Sequence, residues 1–211
     1  TGPYTLADWS FNEYYLRAVG DIPDLRRRNY EAKRLFAMDL ATRALRPTLL
    51  ALVAAGADWI QIDEPAAATH QEEVPILVEA FNAATEGVSA RISIHICYSN
   101  YRALYPHILE LRAEMLTLEF KNTGDYNIVS LFQEFGDRRQ IGLGVIDVHS
   151  DVIETPQEVK EKVLQAAAVL GPERIWVNPD CGLRTRTWDV AFAKLQNMVA
   201  GARLAREALA G

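Results

Sequence analysis

The chain has 211 residues, 49% of them hydrophobic and 24% charged, with a formal net charge of -6. That length and apolar content suffice for one sizeable core, and the acidic balance argues against nucleic acid or an anionic lipid surface as the main partner. No apolar run approaches the roughly 20 residues needed to span a bilayer, and two cysteines without a CxxC pair form no disulfide framework, which predicts a reducing, cytoplasmic setting.

The first residue is Thr, and "TGPYTL" reads as the tail of a strand ending at Gly2-Pro3, so more sequence is expected upstream. A helical pattern then runs roughly from Asp24 to Ala55. Its basic run "DLRRRNYEAKR" is interleaved with acids, as on a solvated face, and Pro47 predicts a kink or a break. From there strands and helices alternate: strand "DWIQID" (58–63), helix Glu73 to Thr85, strand "ISIHIC" (92–97), helix Tyr101 to Leu111, and strand "MLTLEF" (115–120). Helix Ile128 to Phe135, strand "QIGLGVID" (140–147), helix Pro156 to Leu170, strand "RIWVNP" (174–179) and helix Thr187 to Leu209 complete the chain. This alternation predicts an α/β fold of parallel βαβ units. A doubly wound sheet and a (β/α)8 barrel both fit, with about six of the eight units of a barrel visible. No Gly-rich dinucleotide fingerprint follows any strand.

Side chains alternate along a strand, so the two faces can be read directly. Ile60 and Ile62 oppose Gln61 and Asp63; three isoleucines oppose Ser93, His95 and Cys97; Leu116 and Leu118 oppose Thr117 and Glu119. Val145, Asp147 and His149 share a face that turns polar as its strand ends, and Cys181 lies in the loop after "RIWVNP". Parallel α/β folds carry their sites at the carboxyl ends of the strands. Both cysteines, two of the four histidines and three carboxylates fall at such ends, which predicts a functional site there.

One imidazole, two thiols and a carboxylate suit Zn²⁺ better than Mg²⁺ or Ca²⁺, which prefer oxygen shells. His95 and Cys97, two apart on a strand, lie on one side. The spacing matches no zinc ribbon or finger, so a catalytic site is expected rather than a structural module. Two thiolates and a carboxylate leave a zinc centre with a net charge of about -1, a poor activator of water but suited to holding a further thiol as its thiolate. A free thiol is only a few per cent ionised at neutral pH, so full ionisation contributes at most about 30-fold. Alignment of donor and sulfur must supply most of the rest. Thiol alkylation is the expected chemistry.

At this point "LADWSF", "IQIDEP", "HICYSN", "LEF", "GVIDVHS" and "NPDCGLRTR" resemble, in order, the successive motifs of the catalytic barrel of cobalamin-independent methionine synthases. The resemblance covers the whole chain. It implies a single catalytic (β/α)8 TIM-barrel domain over residues 1–211 that lacks its first two βα units, and methyl transfer to the thiol of L-homocysteine to form methionine. It implies Zn²⁺ held by His95, Cys97, Glu119 and Cys181, with Asp63 binding the homocysteine ammonium. His149 matches the family's proton donor, and Trp9 matches the residue that stacks on the pterin of methyltetrahydrofolate. Asp147, Asp180, Arg184 and Arg186 read equally as functional or as structural.

Two departures bear on the methyl donor. Thr69 stands about where folate-dependent members carry an acid beyond "DEP", and the chain reads His149-Ser150-Asp151 where they continue "HSP". The single-barrel relatives use a methylcorrinoid protein, so both a methylcorrinoid protein and methyltetrahydrofolate are carried as donors. With open sheet edges, the chain is expected to fold poorly without an N-terminal barrel segment. Two other readings are a zinc-thiol alkyltransferase acting on another thiol such as coenzyme M, and a non-catalytic zinc-binding module. Asp63 favours an amino-acid thiol, because an ammonium needs a carboxylate partner and a sulfonate does not.

Overall fold

The computed structural model describes residues 1–10, 12–122 and 128–211, so Phe11 of "LADWSF" lies outside the described residues. The chain forms two compact units, Thr1–Glu114 and Met115–Gly211.

In the first unit, helices α1 (Pro3–Asp8), α2 (Glu13–Ala18), α3 (Leu25–Asp39) and α4 (Arg46–Ala54) precede strand β1 (Trp59–Asp63); helix α5 (Val74–Thr85) leads to strand β2 (Arg91–Ile96) and the single turn α6 (Tyr101–Leu104). The break expected at Pro47 takes the form of a π-helical segment, Leu40–Leu45, that joins α3 to α4 without a loop. The wider turn accommodates a residue with no N–H to donate. The helix expected over 101–111 divides instead into α6 and a 3₁₀ turn, His107–Glu110, with Pro106 between them. β1 and β2 are parallel, pairing Ile60 with Ile92 and Asp63 with His95. Ile60, Ile62, Ile92, Ile94 and Ile96 are all buried, as the alternation predicts, and so are the α5 residues Ile76, Leu77 and Phe81. No strand is formed before α1 among the described residues, and Pro3, expected to end one, opens the helix. Gly2 is extended and its N–H donates to the Asp63 carbonyl (2.7 Å) before α1 begins at Pro3.

In the second unit, strands β3 (Met115–Leu118), β4 (Gln140–Ile146) and β5 (Ile175–Pro179) alternate with helices α7 (Ile128–Glu134), α8 (Pro156–Leu170) and α9 (Trp188–Ala210). β3 pairs with β4 and β4 with β5, both parallel, with an irregularity between Gly144 and Ile146. Thr155 and Glu158 form a complete capping box at the start of α8, and the Thr187 side chain caps α9; each satisfies N–H groups that a helix start leaves without partners. Five strands are formed among the described residues, every pairing within a unit is parallel, and helices intervene, as an α/β βαβ fold requires. Among the described residues no helix is long and apolar enough to cross a membrane.

Candidate metal and substrate site

β2 carries His95 and Cys97 to its carboxyl end, where both are buried, and their ligand atoms lie within 4.8 Å of one another. The end of this strand is well held. The Tyr101 hydroxyl donates to the Ile96 carbonyl (2.8 Å), and the chain turns away through Tyr98, whose φ of 52° is unusual for a residue with a side chain. Asp63 ends β1 directly opposite His95 in register and accepts from the Gln61 amide (2.9 Å). The first unit therefore brings Asp63, His95 and Cys97 to one place.

Glu64 follows Asp63 and is wholly buried. Its carboxylate accepts from the backbone N–H groups of Tyr4 (3.1 Å) and Thr5 (2.7 Å), fastening the start of α1 to the end of β1. Burial pushes its carboxyl up to about 7 against those two donors. A Cβ on Gly2 would overlap the Glu64 carboxylate, so any larger residue there would have to displace it. The sequence offered no reading of Glu64 beyond its place in "IDEP".

Trp9 follows α1 and is 65% exposed. It lines a cleft of about 1000 Å³ with Asp8, Tyr30, Lys33, His70 and Glu73. Lys33 bridges Asp8 (2.6 Å) and Glu73 (2.5 Å) in the cleft wall, and Glu73 also accepts from the Tyr4 hydroxyl (2.8 Å). Burial would lower the Lys33 pKa, but the two carboxylates win and raise it. The Thr69 hydroxyl donates to its own turn at Ala66 O (2.8 Å).

In the second unit Glu119 comes directly after β3 and is buried, and half-buried Cys181 lies two residues beyond β5. β4 stops at Ile146, so Asp147 and His149 sit in the loop beyond it rather than on the strand. Asp147 Oδ1 accepts from the His149 N–H (2.7 Å) and the Asn122 amide (3.2 Å). Burial alone would raise the Asp147 pKa, but these donors and the Lys194 charge bring it below the ordinary range. Asp180 is wholly buried and accepts from the backbone of Phe120, Lys121 and Asn122; burial takes it up to about 6 in spite of them. Arg186 pairs with Asp151 (2.6 Å), the residue that departs from "HSP", while Arg184 is exposed.

Sequence reasoning also passed over Lys194 of α9. Its ammonium is buried against Glu154 (2.9 Å) and the Val152 carbonyl, and the other Glu154 oxygen accepts the Asp147 N–H (2.8 Å). A single lysine on an amphipathic helix gives no signal of such a role, since lysine usually keeps its charge in water.

By residue type, an imidazole, a carboxylate and two thiols, three of the four buried, are donors whose chemistry fits zinc.

A family model described as the cobalamin-independent synthase catalytic domain matches residues 1–204. A methionine synthase of Sulfurisphaera tokodaii is 42% identical over 209 residues, covering 99% of this chain and 56% of that protein. One from Saccharolobus solfataricus is 39% identical, with 99% and 58% covered. The chain thus spans somewhat over half the length of these curated relatives. Among solved structures, a B12-independent methionine synthase from a Shewanella species, in complex with selenomethionine, superposes with a TM-score of 0.83 at 23% identity, covering 99% of this chain and 61% of that one. A methyltransferase from Methanosarcina mazei gives a TM-score of 0.68 at 19% identity, with 96% and 56% covered. The fold is that of the barrel synthases.

Proposed function

Because this chain belongs to the cobalamin-independent synthase catalytic-domain family, we propose that it transfers a methyl group to the thiol of L-homocysteine, forming methionine. His95, Cys97, Glu119 and Cys181 would hold a zinc ion, which when bound keeps the homocysteine sulfur deprotonated at neutral pH. The observation that carries this reading is the register of β1 on β2. It sets Asp63, a carboxylate for an ammonium, opposite His95, with Cys97 two residues further on. An amino acid bearing a thiol carries both groups that such a pair would receive.

Bond-making is a displacement. The sulfur lone pair forms the new S–CH₃ bond while the bond from methyl to its carrier breaks, and the carrier leaves with that electron pair. His149 would deliver a proton to the departing carrier. The Asp147 carboxylate fixes the His149 backbone for this, and Glu154 holds Asp147 in turn. Trp9 and its cleft offer an exposed aromatic face to a flat donor such as the pterin of methyltetrahydrofolate, and a methylcorrinoid protein remains the other donor. A reducing cytoplasm suits a site built on two thiols that form no disulfide.

The test is zinc analysis of the intact protein, followed by homocysteine-dependent methionine formation with methylcobalamin, a methylcorrinoid protein and methyltetrahydrofolate in parallel. Cys181→Ser is expected to lose bound zinc and activity together. Zinc-free wild type, or methylation of coenzyme M in place of homocysteine, would refute the proposal.

A further inference from the structure

We propose that Asp180 is the positioning residue for the two ligands of the second unit, presetting Glu119 and Cys181 for metal before any metal arrives. The inference rests on the zinc reading above. Cys181 is the next residue in the chain, and Glu119 immediately precedes the three residues that Asp180 binds. One carboxylate oxygen accepts from Phe120 N (3.1 Å) and Lys121 N (3.0 Å), and the other accepts from Asn122 N (3.1 Å). The Asp180 N–H itself donates to the Ile146 carbonyl (3.0 Å) at the end of β4. One side chain therefore fastens the turn after β3 to the loop after β5, using the end of β4 as the anchor.

Packing makes the fastening rigid. Asp180 is wholly buried, and a Cβ on Gly144 of β4 would lie 2.3 Å from its Oδ1, so the strand approaches the carboxylate as closely as a backbone can. A buried carboxylate is costly unless its oxygens are hydrogen-bonded, and an apolar residue here would leave three backbone N–H groups without this acceptor. What the carboxylate alone provides is two oxygens that capture three successive N–H groups, and hence a fixed direction for the residue before them. Groups that orient metal ligands in this way typically change metal affinity by about 10- to 100-fold when removed.

Asp180→Asn keeps the shape but turns an NH₂ toward the Asn122 N–H; Asp180→Ala removes all three bonds. Zinc affinity of the intact protein, measured by competition with a chromophoric chelator, is expected to fall about tenfold or more in Asp180→Asn and further in Asp180→Ala. Thermal unfolding of the metal-free proteins shows whether each variant still folds cooperatively. An Asp180→Asn affinity within twofold of wild type, alongside loss of zinc in Cys181→Ser, would overturn this inference and leave the zinc reading standing; a wild type that binds no zinc overturns both. A second measurement needs no variant. Amide exchange at 120–122 in the metal-free wild type is expected to be slowed at least about 100-fold by these bonds, and solvent-like exchange there would overturn the presetting.

Discussion

Replacing Lys194 by methionine tests how the loop that carries His149 is held. The lysine and its partner Glu154 have side chains 0% and 4% exposed, with Nζ 2.9 Å from Oε2. Glu154 is also the acceptor for the Asp147 N–H, and its own carbonyl accepts from the Asn197 amide (2.8 Å). Methionine fills nearly the same volume, so the change removes charge and donors with little loss of packing. It leaves a carboxylate buried with one backbone donor and no cation, and breaking a buried pair from one side costs about 3–5 kcal/mol. Urea unfolding of wild type, Lys194→Met, Glu154→Gln and the double variant closes a double-mutant cycle. Lys194→Met is expected to lose about 3–5 kcal/mol. The double variant should recover at least half of that, because the amide oxygen introduced by Glu154→Gln can still accept from Asp147 N while bringing no uncompensated charge. A Lys194→Met loss below about 1 kcal/mol, the range of an exposed pair, would refute the argument that this ion pair is dry and fastens the loop.

Two further perturbations concern the junction of α1 with β1. Burial lifts the Glu64 pKa from 4.5 to about 7, so the folded state binds the proton more tightly than the unfolded one and stability falls as pH rises through that window. The stability of wild type relative to Glu64→Gln is therefore expected to decline by roughly 3 kcal/mol between pH 4.5 and pH 8, and parallel pH profiles of the two proteins would refute it. Gly2→Ala would place a methyl group 2.1 Å from Glu64 Oε1. It is expected to cost about 1–3 kcal/mol, as overpacking does, with the loss reduced in a Gly2→Ala, Glu64→Ala background when both are followed by thermal unfolding.

What could be read from the sequence was what depends on local period. Alternation of two put His95 and Cys97 on one side of a strand; β2 ends at Ile96, one residue before Cys97, and their ligand atoms lie within 4.8 Å of one another. The same rule buried Ile60 and Ile62 and left Gln61 exposed. The helices expected from Pro156 and from Thr187 begin at Pro156 and, with Thr187 as the cap, at Trp188. The alternation rule overreached only at strand ends. It carried the fourth strand as far as Asp147 and set His149 on the same face, whereas β4 ends at Ile146 and both residues belong to a loop held by Glu154. Glu64, Asp180 and Lys194 escaped for a different reason. Their partners lie roughly 40 to 60 residues away, and the chemistry of each is set by burial, which turns an ordinary surface residue type into a fixed hydrogen-bonding centre. These three share one design. Each is a buried ionisable residue, two of them directly after a strand end and Lys194 within α9, and each bonds to backbone N–H groups, a carbonyl or another buried charge rather than to solvent. The candidate ligands and the proposed acid announce themselves by residue type, but the buried groups behind them do so only through the fold.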